Sequence, residues 1–233
     1  RQESNRWTLI ADSIELSLQD PFYTRIDGQV ILGGVEVVFL EDGTANWRTV
    51  FYHLATLSEA KKIFEGPWGM KDLRLKQLSS GEILVLTRPQ GTKGGRGKIG
   101  ATIVHTLSDL TIETITEAPL LSDQFCESEW GGGNEIHEID GDIWVLGHIA
   151  NFDDQGNRHY YAMVFCLERN QFAMTQAKII AERNDFQQGP MKRPDLEDVV
   201  FSGGIHIYKD HIVLYAGISD AGAQKIKLEN PFR

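Results

Sequence analysis

Hydrophobic and polar positions alternate along this chain in short segments. Runs rich in Val, Ile, Leu and aromatic residues last only a few positions, and Asp-Gly, Gly-Gly and Asn-containing turns separate them. Because successive side chains of a strand point to opposite faces, this pattern predicts an all-β protein. Only residues 57–64 and 177–183 could pass for helices, and the spacing of the strands around them favours strands there too.

Four segments repeat one pattern, an extended run, a tight turn and a hydrophobic run: residues 20–34, 71–87, 133–148 and 202–217. Their turns lie at Asp27-Gly28, Ser80-Gly81, Asp140-Gly141 and Lys209-Asp210. Asp-Gly favours a two-residue hairpin turn because it tolerates positive φ. A repeat of roughly 50–70 residues that opens on a hairpin predicts one four-stranded antiparallel sheet per repeat, which is the unit of a β-propeller.

The remaining strands follow each hairpin in turn, at residues 47–54, 60–65, 99–107, 111–117, 160–167, 177–182 and 224–229. The fourth sheet therefore lacks an outer strand. Residues 7–18 contain two short strand-like pieces, which leaves two alternatives. Either this segment completes the last blade and closes four blades, or it ends a fifth blade that is incomplete in the visible chain. In both cases residues 1–233 form a single propeller domain.

The composition of the chain indicates which classes of binding partner are expected. The net charge is −10, and 41% of residues are hydrophobic. A negative surface repels phosphate backbones and anionic lipids, so we expect neither nucleic acid nor membrane as a partner. The sequence shows neither a run of about 20 apolar residues nor a signal peptide, which predicts a cytoplasmic protein. Cys126 and Cys166 are too few for a disulfide scaffold and are expected to be reduced, buried thiols.

Three carboxylates stand at similar places in their repeats. Asp20, Asp72 and Glu135 each precede the turn glycine of their hairpin by a comparable number of residues. The first strand of each propeller blade lines the central channel, so all three are expected at one mouth of that channel. Like charges that converge there push their pKa values apart, which is how acid and base roles separate. An acidic chain also scatters carboxylates everywhere, and Asp20-Pro21 could simply start a turn.

The segment 125–137 (FCESEWGGGNEIH) is the most unusual of the chain. Its three successive glycines allow close approach to a ligand, and Trp130 offers a flat face for a sugar ring. Glu129 and Glu135 lie on either side, and Glu135 shares a strand face with His137. A third metal ligand is not evident nearby, so no metal and no cofactor are expected.

Other residues carry weaker signals. Trp68, just before Lys71 and Asp72, is a second candidate for a binding platform, although core packing is the default for a tryptophan. His148 and His206 are expected to be hydrogen-bonded structural histidines. Residues 95–100 match GxGxxG, but a β-branched run follows them, so a hairpin loop is expected and not a nucleotide-binding turn.

Several of these motifs resemble known families. DPFYTRIDGQVILGGVEV and MKDLRL resemble the first two carboxylate motifs of the five-bladed propeller glycosidases (arabinanase, levansucrase and invertase-like), with Leu73 in place of a proline. VVFSGGIHIYKDHIVLYAGISDA resembles the last blade of the mannoside phosphorylases. More closely, DPF…GGVEV, WGGGNEIHEIDG and GHIAN are similar to domain-of-unknown-function family 1861, over nearly all 233 residues.

The resemblance implies five blades and a carbohydrate-active protein, either a glycoside hydrolase or a phosphorylase. It implies that Asp20 is the base or nucleophile, that Asp72 positions substrate and tunes pKa values, and that Glu135 or Glu129 is the acid. Substrate-binding roles would fall to Trp130, Trp68, His137 and Arg74, and Lys71, Arg74 and Arg193 are candidates for binding phosphate. The alternative is a non-catalytic propeller that binds carbohydrate or another protein.

Overall fold

The computed structural model describes residues 2–3 and 6–232, with side chains from residue 8 to residue 232. Strands account for 54% of the residues and helices for 8%, which confirms the all-β class. Both segments that could pass for helices, residues 57–64 and 177–183, are largely strand.

The strands are consecutive along the chain and antiparallel. A short hairpin comes first and is followed by a four-stranded sheet. The hairpin consists of β1 (Gln2–Glu3) and β2 (Arg6–Trp7). The first large sheet contains β3 (Gln19–Ile26), β4 (Gln29–Phe39), β5 (Ala45–Thr56) and β6 (Glu59–Glu65).

Three further sheets follow. The second sheet contains β7 (Arg74–Gln77), β8 (Ile83–Thr87) and β9 (Gly100–Val104). The third sheet contains β10 (Trp130–Ile139), β11 (Asp142–Phe152), β12 (Arg158–Glu168) and β13 (Ala173–Ala181). The fourth sheet contains β14 (Val200–Ile207), β15 (His211–Ile218) and β16 (Gly222–Glu229). The helices are α1 (Gly91–Gly94), α2 (Ile112–Glu117) and 3₁₀ turns at Leu107–Asp109, Arg183–Asp185 and Pro194–Leu196.

The first strands of the four large sheets meet at the centre. β3 contacts β7, β7 contacts β10, β10 contacts β14, and β14 contacts β3. Consecutive sheets share clusters of buried side chains: Phe51 and Val85 belong to one cluster, Leu86 and Val145 to a second, and Leu146 and Leu214 to a third. Each such side chain contributes about 1.5–3 kcal/mol when it is fully buried. The result is a propeller-like arrangement in which the entry ends of the first strands lie close together.

The four hairpin turns lie where the sequence predicts them. β3 and β4 flank Asp27-Gly28, and β10 and β11 flank Asp140-Gly141. Asp27 has φ 49° and Asp140 has φ 53°, and the glycine after each also has positive φ. Positive φ at both central positions is the requirement of a type I′ turn, which explains the Asp-Gly pairs.

Residues 111–117 were expected to form a strand, and that prediction is wrong, because they form α2. The Thr111 hydroxyl accepts a hydrogen bond from Thr114 N at 3.1 Å, which caps the helix. Ile115 is buried, whereas Ile112, three positions earlier, is largely exposed. The sequence TIETITE carries both a Thr cap and an i, i+3 pair of isoleucines, so the local capping signal outweighs its β-branched composition.

Residues 7–18 do not complete the last sheet. Trp7 ends β2, and residues 8–18 contain no strand. Ile14 N instead donates a hydrogen bond to Leu57 O at 2.7 Å, which places the segment on the β5–β6 turn of the first sheet. The structure therefore does not show residues 7–18 closing a four-bladed ring, which was one of the two alternatives for this segment.

Candidate functional site

The entry ends of three first strands carry bulges. The register shifts between Gln19 and Phe22 in β3, between Gly133 and Glu135 in β10, and between Ser202 and Gly204 in β14. A bulge re-aims the side chain of the extra residue. Pro21 cannot donate to the ladder, and Asp20 before it has φ 47°, a conformation rare outside glycine. This backbone turns the Asp20 side chain away from the regular face of β3.

Asp72 lies just before β7, is only 1% exposed, and has φ 62°. Its Oδ2 is 3.2 Å from Arg88 Nη1, and its Oδ1 is 3.8 Å from Arg74 Nη2. Burial alone would raise the pKa of this carboxyl. The positive charges of Arg88, Lys71 and Arg74 outweigh burial and lower the pKa to about 2. Asp72 is therefore an ionised carboxylate paired with two buried guanidinium groups.

Those two guanidinium groups also bind the backbone. Arg74 Nε donates to Asn134 O at 2.7 Å, and Arg88 Nε donates to Gly131 O at 2.6 Å. A Cβ on Gly132 would lie 2.8 Å from Arg88 Cδ. The glycine run of β10 therefore gives the Arg88 side chain its space. These contacts tie the second sheet to the third behind the site.

Asp20 faces the same group of charges from the first sheet. Its Oδ2 is 3.8 Å from Lys71 Nζ, and its side chain keeps 28% of its exposure. Partial burial raises the pKa of Asp20, the negative charge of Asp72 raises it further, and Lys71 opposes both. Burial and the surrounding charges thus push the pKa values of Asp20 and Asp72 in opposite directions.

His148 closes the site from β11 and is 1% exposed. Burial, followed by the positive charge of Arg88, lowers its pKa to about 3, so the ring is neutral at physiological pH. Its Nδ1 lies 2.8 Å from Asn134 Oδ1. With Nδ1 donating to that oxygen, Nε2 is left as a hydrogen-bond acceptor.

These residues border a cavity of about 290 Å³, which we call the mouth cavity. Five cationic side chains and two carboxylates line it: Lys71, Arg88, Arg158, Lys192 and Arg193, with Asp20 and Asp220. Cationic side chains thus outnumber carboxylates on the wall of this cavity, although the chain as a whole is acidic.

A second cavity, of about 280 Å³, adjoins the first and shares Lys71, Arg88, Arg158 and Tyr160 with it. Trp130 forms part of its wall. The indole is 4% exposed, packs on Phe152 with ring centroids 4.8 Å apart, and donates through Nε1 to Tyr160 Oη at 3.0 Å. The structure thus places Trp130 beside the mouth cavity and buries most of its surface.

Glu135 and His137 lie in the central channel. Glu135 Oε2 accepts from Ile205 N at 2.8 Å and is 3.2 Å from His137 Nε2. Both line a cavity of about 640 Å³ among the first strands, which we call the channel cavity. Arg74 also lines this cavity, and its charge acts on Asp20, Asp72 and Glu135. The structure brings Asp20 and Asp72 together and places Glu135 in a different cavity.

The remaining candidates lie apart from the mouth cavity. Glu129 Oε2 accepts from Cys126 N at 3.0 Å and so caps its own loop. Trp68 is 48% exposed, and the Arg48 guanidinium lies 4.4 Å above its ring, beside the first sheet. Both cysteines are free, as predicted, but Cys126 is exposed, because it lies in a surface turn and not in the core.

Arg88 is not among the site residues predicted from the sequence, and His148 is predicted only as a structural histidine. A signal for both exists in the repeats. ILVLTR (83–88) and IWVLGH (143–148) align, so Arg88 and His148 occupy the same place, seven residues after their turn glycines Gly81 and Gly141. IVLYAG (212–217) puts Gly217 there, and all three residues line the mouth cavity. Arg158 and Lys192 carry no such signal.

Two negative findings concern the described residues alone. Within residues 2–3 and 6–232, no three His, Cys, Asp or Glu side chains are grouped so as to hold a metal ion. In the same part of the chain, every helix is too short or too polar to cross a membrane.

Comparison with known proteins gives a family match over the whole chain. The model of "Protein of unknown function (DUF1861)" matches residues 1–233. Comparison with curated proteins found no match.

Solved structures are also similar. A mannose phosphorylase from Leishmania mexicana, in complex with a phosphate ion, is 31% identical with a TM-score of 0.85, over 92% of this chain and 68% of that one. A GDP-Man-dependent mannosyltransferase from the same organism is 27% identical with a TM-score of 0.83, over 94% and 70%. A β-1,2-mannobiose phosphorylase from Listeria innocua shares the fold at 16% identity and a TM-score of 0.67, over 91% and 58%.

Proposed function

This chain belongs to the DUF1861 family, and on that premise we propose that it is a carbohydrate-active enzyme that transfers a mannosyl unit between a glycan and phosphate. The observation that carries this proposal is the mouth cavity, whose wall combines five cations with Asp20, a partly buried carboxyl whose pKa is raised. The similar mannose phosphorylase, which binds phosphate, supports the same reaction class.

Asp20 is the proposed acid. A phosphate oxygen attacks the anomeric carbon, the bond from that carbon to the glycosidic oxygen breaks, and the Asp20 proton goes to the departing oxygen. The products are a mannose 1-phosphate and a glycan shorter by one unit. Because phosphate is already a nucleophile, this reaction needs an acid and no second carboxylate as base, whereas hydrolysis needs both. The resemblance alone implies that Asp20 is the base or nucleophile, whereas its raised pKa favours the role of the acid.

Asp72, Arg74 and Arg88 form the proposed support behind the reacting groups. The ionised Asp72 holds both guanidinium groups and raises the pKa of Asp20. Lys71, Arg88, Arg158, Lys192 and Arg193 line the mouth cavity and would neutralise the phosphate charge there. His148 Nε2 would accept a hydrogen bond from the bound phosphate or from a sugar hydroxyl.

Lys71→Met should weaken phosphate binding about tenfold or more, because it removes a charge-assisted contact from the cavity wall. The measurement is the phosphate KM at fixed glycan concentration. Lys227→Met, on an exposed position of β16, is the matched control and should leave this KM unchanged. Equal phosphate KM values for the two variants would place the phosphate elsewhere.

Trp130→Phe should raise the glycan KM about threefold to tenfold while kcat changes little. The variant keeps an aromatic wall but loses the bond that orients the Tyr160 hydroxyl, and one neutral hydrogen bond is worth about 0.5–1.5 kcal/mol. Steady-state kinetics measure both constants. Trp68→Phe is the matched variant; a larger effect there would move the sugar platform to Trp68.

Other residues predicted for the site are the second and third candidates for the acid, after Asp20. Glu135, with His137, is the second candidate for the acid, approached from the channel cavity. Glu129 is the third candidate, and its use as an acid would require it to release Cys126 N. Comparing the activities of Asp20→Asn and Glu135→Gln decides which of these two residues is the acid.

A second candidate function is mannosyl transfer from GDP-mannose. The observation that favours it is the aromatic wall of Trp130 and Phe152 beside the cations, with Arg96 4.6 Å above the Phe152 ring. A base could stack there while its diphosphate lies in the mouth cavity. The similar mannosyltransferase supports this alternative.

The deciding experiment incubates the full chain with manno-oligosaccharides of different linkages, with and without phosphate, and separately with GDP-mannose. Release of mannose 1-phosphate only when phosphate is present would support phosphorolysis. Release of free mannose without phosphate would mean hydrolysis, and elongation with GDP-mannose alone would mean nucleotide-dependent transfer. Glycan binding without any turnover would replace the enzyme with a non-catalytic carbohydrate-binding propeller.

We also propose an architecture for this chain: the four large sheets are consecutive blades of a single five-bladed propeller, as the sequence resemblance implies. A small-molecule carbohydrate is the proposed ligand. A cytoplasmic location, and no nucleic-acid or membrane partner, are predictions from composition.

A further inference from the structure

A histidine beyond the mouth cavity lies between two carboxylates. His159 of β12 has Nδ1 2.5 Å from Asp198 Oδ2 and Nε2 3.4 Å from Asp153 Oδ2. Asp153 begins the β11–β12 turn, where its Oδ1 accepts from the backbone N–H groups of Gln155 and Asn157. Asp198 belongs to a different segment, the loop of residues 182–199 that joins β13 to β14, which we call the β13–β14 loop. His159 therefore connects a rigid turn to a long loop.

The β13–β14 loop supplies one side of the mouth cavity. Lys192, Arg193, Leu196 and Val199 are the loop residues that line it. A second connection runs parallel to the first: Arg158, next to His159 in β12, forms an ion pair with Asp195 of the loop. The position of two of the five cations thus depends on how this loop is held against β12, and also against the β15–β16 turn, where Lys192 N donates to Ser219 O at 3.1 Å and Lys192 Nζ pairs with Asp220 at 2.9 Å.

Only a charged imidazole can donate to both carboxylates. A neutral ring has one N–H, so after deprotonation one carboxylate would face a nitrogen lone pair, and the two negative charges would no longer be neutralised. The hydrogen bond with Asp198 is the largest influence on the ring and raises its pKa; partial burial opposes this, and Asp153 adds to the rise.

The other charged and titratable groups around the ring come from two elements, β12 and the β13–β14 loop. They are Tyr161 of β12, stacked with the ring at 6.4 Å, and Arg183, Asp195 and Glu197 of the loop. Arg183 is held by Ser219 Oγ and by backbone carbonyl groups of its own loop, and Asp195 by Arg158. The net charge that faces His159 is therefore negative, which favours its charged form.

We propose that His159, bridging Asp153 and Asp198 in its protonated form, is a positioning residue that holds the β13–β14 loop so that Lys192 and Arg193 face the mouth cavity. This proposal depends on the proposed function in one respect only, namely that phosphate is the ligand of the mouth cavity. Protonated His159 keeps the loop in place at pH values below the raised pKa of its ring. As the pH rises through the raised pKa of His159, the bridge is lost and the anion site loosens.

The first test follows the bridge itself and does not depend on any activity. Nuclear magnetic resonance titration should give His159 a midpoint above its ordinary pKa, and Asp153→Asn or Asp198→Asn should lower that midpoint. Trypsin cleavage after Lys192, relative to an unfolded reference peptide, should accelerate between about pH 6 and about pH 9 as the loop is released. His159→Asn should remove this pH dependence, and His211→Asn, which alters an exposed His–Asp pair on the fourth sheet, should keep it.

The second test uses inorganic phosphate as the probe. The change in phosphate Kd over the same pH range should be about fivefold larger for the wild type than for His159→Asn, since a partly exposed ion pair contributes up to about 1 kcal/mol. Phosphate itself titrates in this range, so only the difference between variants counts. His211→Asn should match the wild type.

The outcomes separate the two proposals. If phosphate binds at no pH while the His159 midpoint and the cleavage behave as expected, the proposed function fails and the positioning role stands. If His159→Asn and the wild type show the same pH dependence of cleavage, or His159 titrates at its ordinary value, the positioning role is overturned whatever phosphate does.

Discussion

Asp20→Asn should lower phosphorolysis of the preferred mannoside by on the order of 10²–10⁴-fold, while phosphate still binds. The amide keeps the size and most of the hydrogen bonding of the carboxyl but has no proton to give to the leaving oxygen. The measurement is kcat from mannose 1-phosphate release, with the phosphate Kd measured separately. Removal of one negative charge from a cavity lined by five cations should leave that Kd equal or tighter.

The pH profile tests the same assignment. Burial and Asp72 raise the pKa of Asp20, so the protonated, active form persists to a higher pH than for a free aspartic acid. Activity should fall as the pH rises through that pKa, and the residual activity of Asp20→Asn should lack this decline.

Two comparison variants complete the experiment. Asp140→Asn makes the same change at an exposed turn residue with φ 53°, close to the φ of Asp20, and should keep full activity. Glu135→Gln should have a smaller effect than Asp20→Asn, because Glu135 lies in the channel cavity. If Glu135→Gln abolishes turnover and Asp20→Asn does not, the acid is Glu135.

Asp72→Asn should lower the free energy of unfolding by about 3–5 kcal/mol, the largest stability effect expected at this site. The change leaves the buried guanidinium groups of Arg74 and Arg88 without their shared counter-ion. The measurement is urea unfolding followed by fluorescence. Asp140→Asn is again the matched control, with positive φ and the same chemical change at an exposed position, and should cost little.

The stability contribution of Asp72 has a defined pH window. Its folded pKa of about 2 lies below the ordinary 3.8, so its contribution is fully present above pH 3.8 and is lost as the pH falls through about 2. Wild type should lose stability steeply in that window, and Asp72→Asn should lose less there. If the wild type and Asp72→Asn lost the same amount of stability as the pH falls through this window, the buried ion pairs would not stabilise the site.

The sequence repeats predict some of the site residues but not all of them. Asp20 and Asp72 were found by counting back from the turn glycine of each hairpin, and the structure brings both to one group of charges. The same comparison groups Glu135 with them, but Glu135 precedes its turn glycine, Gly141, by six residues, whereas Asp20 precedes Gly28 by eight. Each residue of a strand advances the chain by about 3.3 Å, so Glu135 lies farther from the entry end of its strand, in the channel cavity.

The sequence by itself determined the all-β class, the four hairpins and the carboxylates that begin them, because alternation and Asp-Gly turns are local properties of the chain. Only the tertiary structure decided which charges meet. Arg88 reaches Asp72 within one sheet, His148 comes from the next sheet, and Lys192 and Arg193 come from a loop without a repeat. The pKa values of Asp20, Asp72 and His148 depend on burial and on charges distant along the chain, and those are set by packing between sheets, which no local pattern encodes.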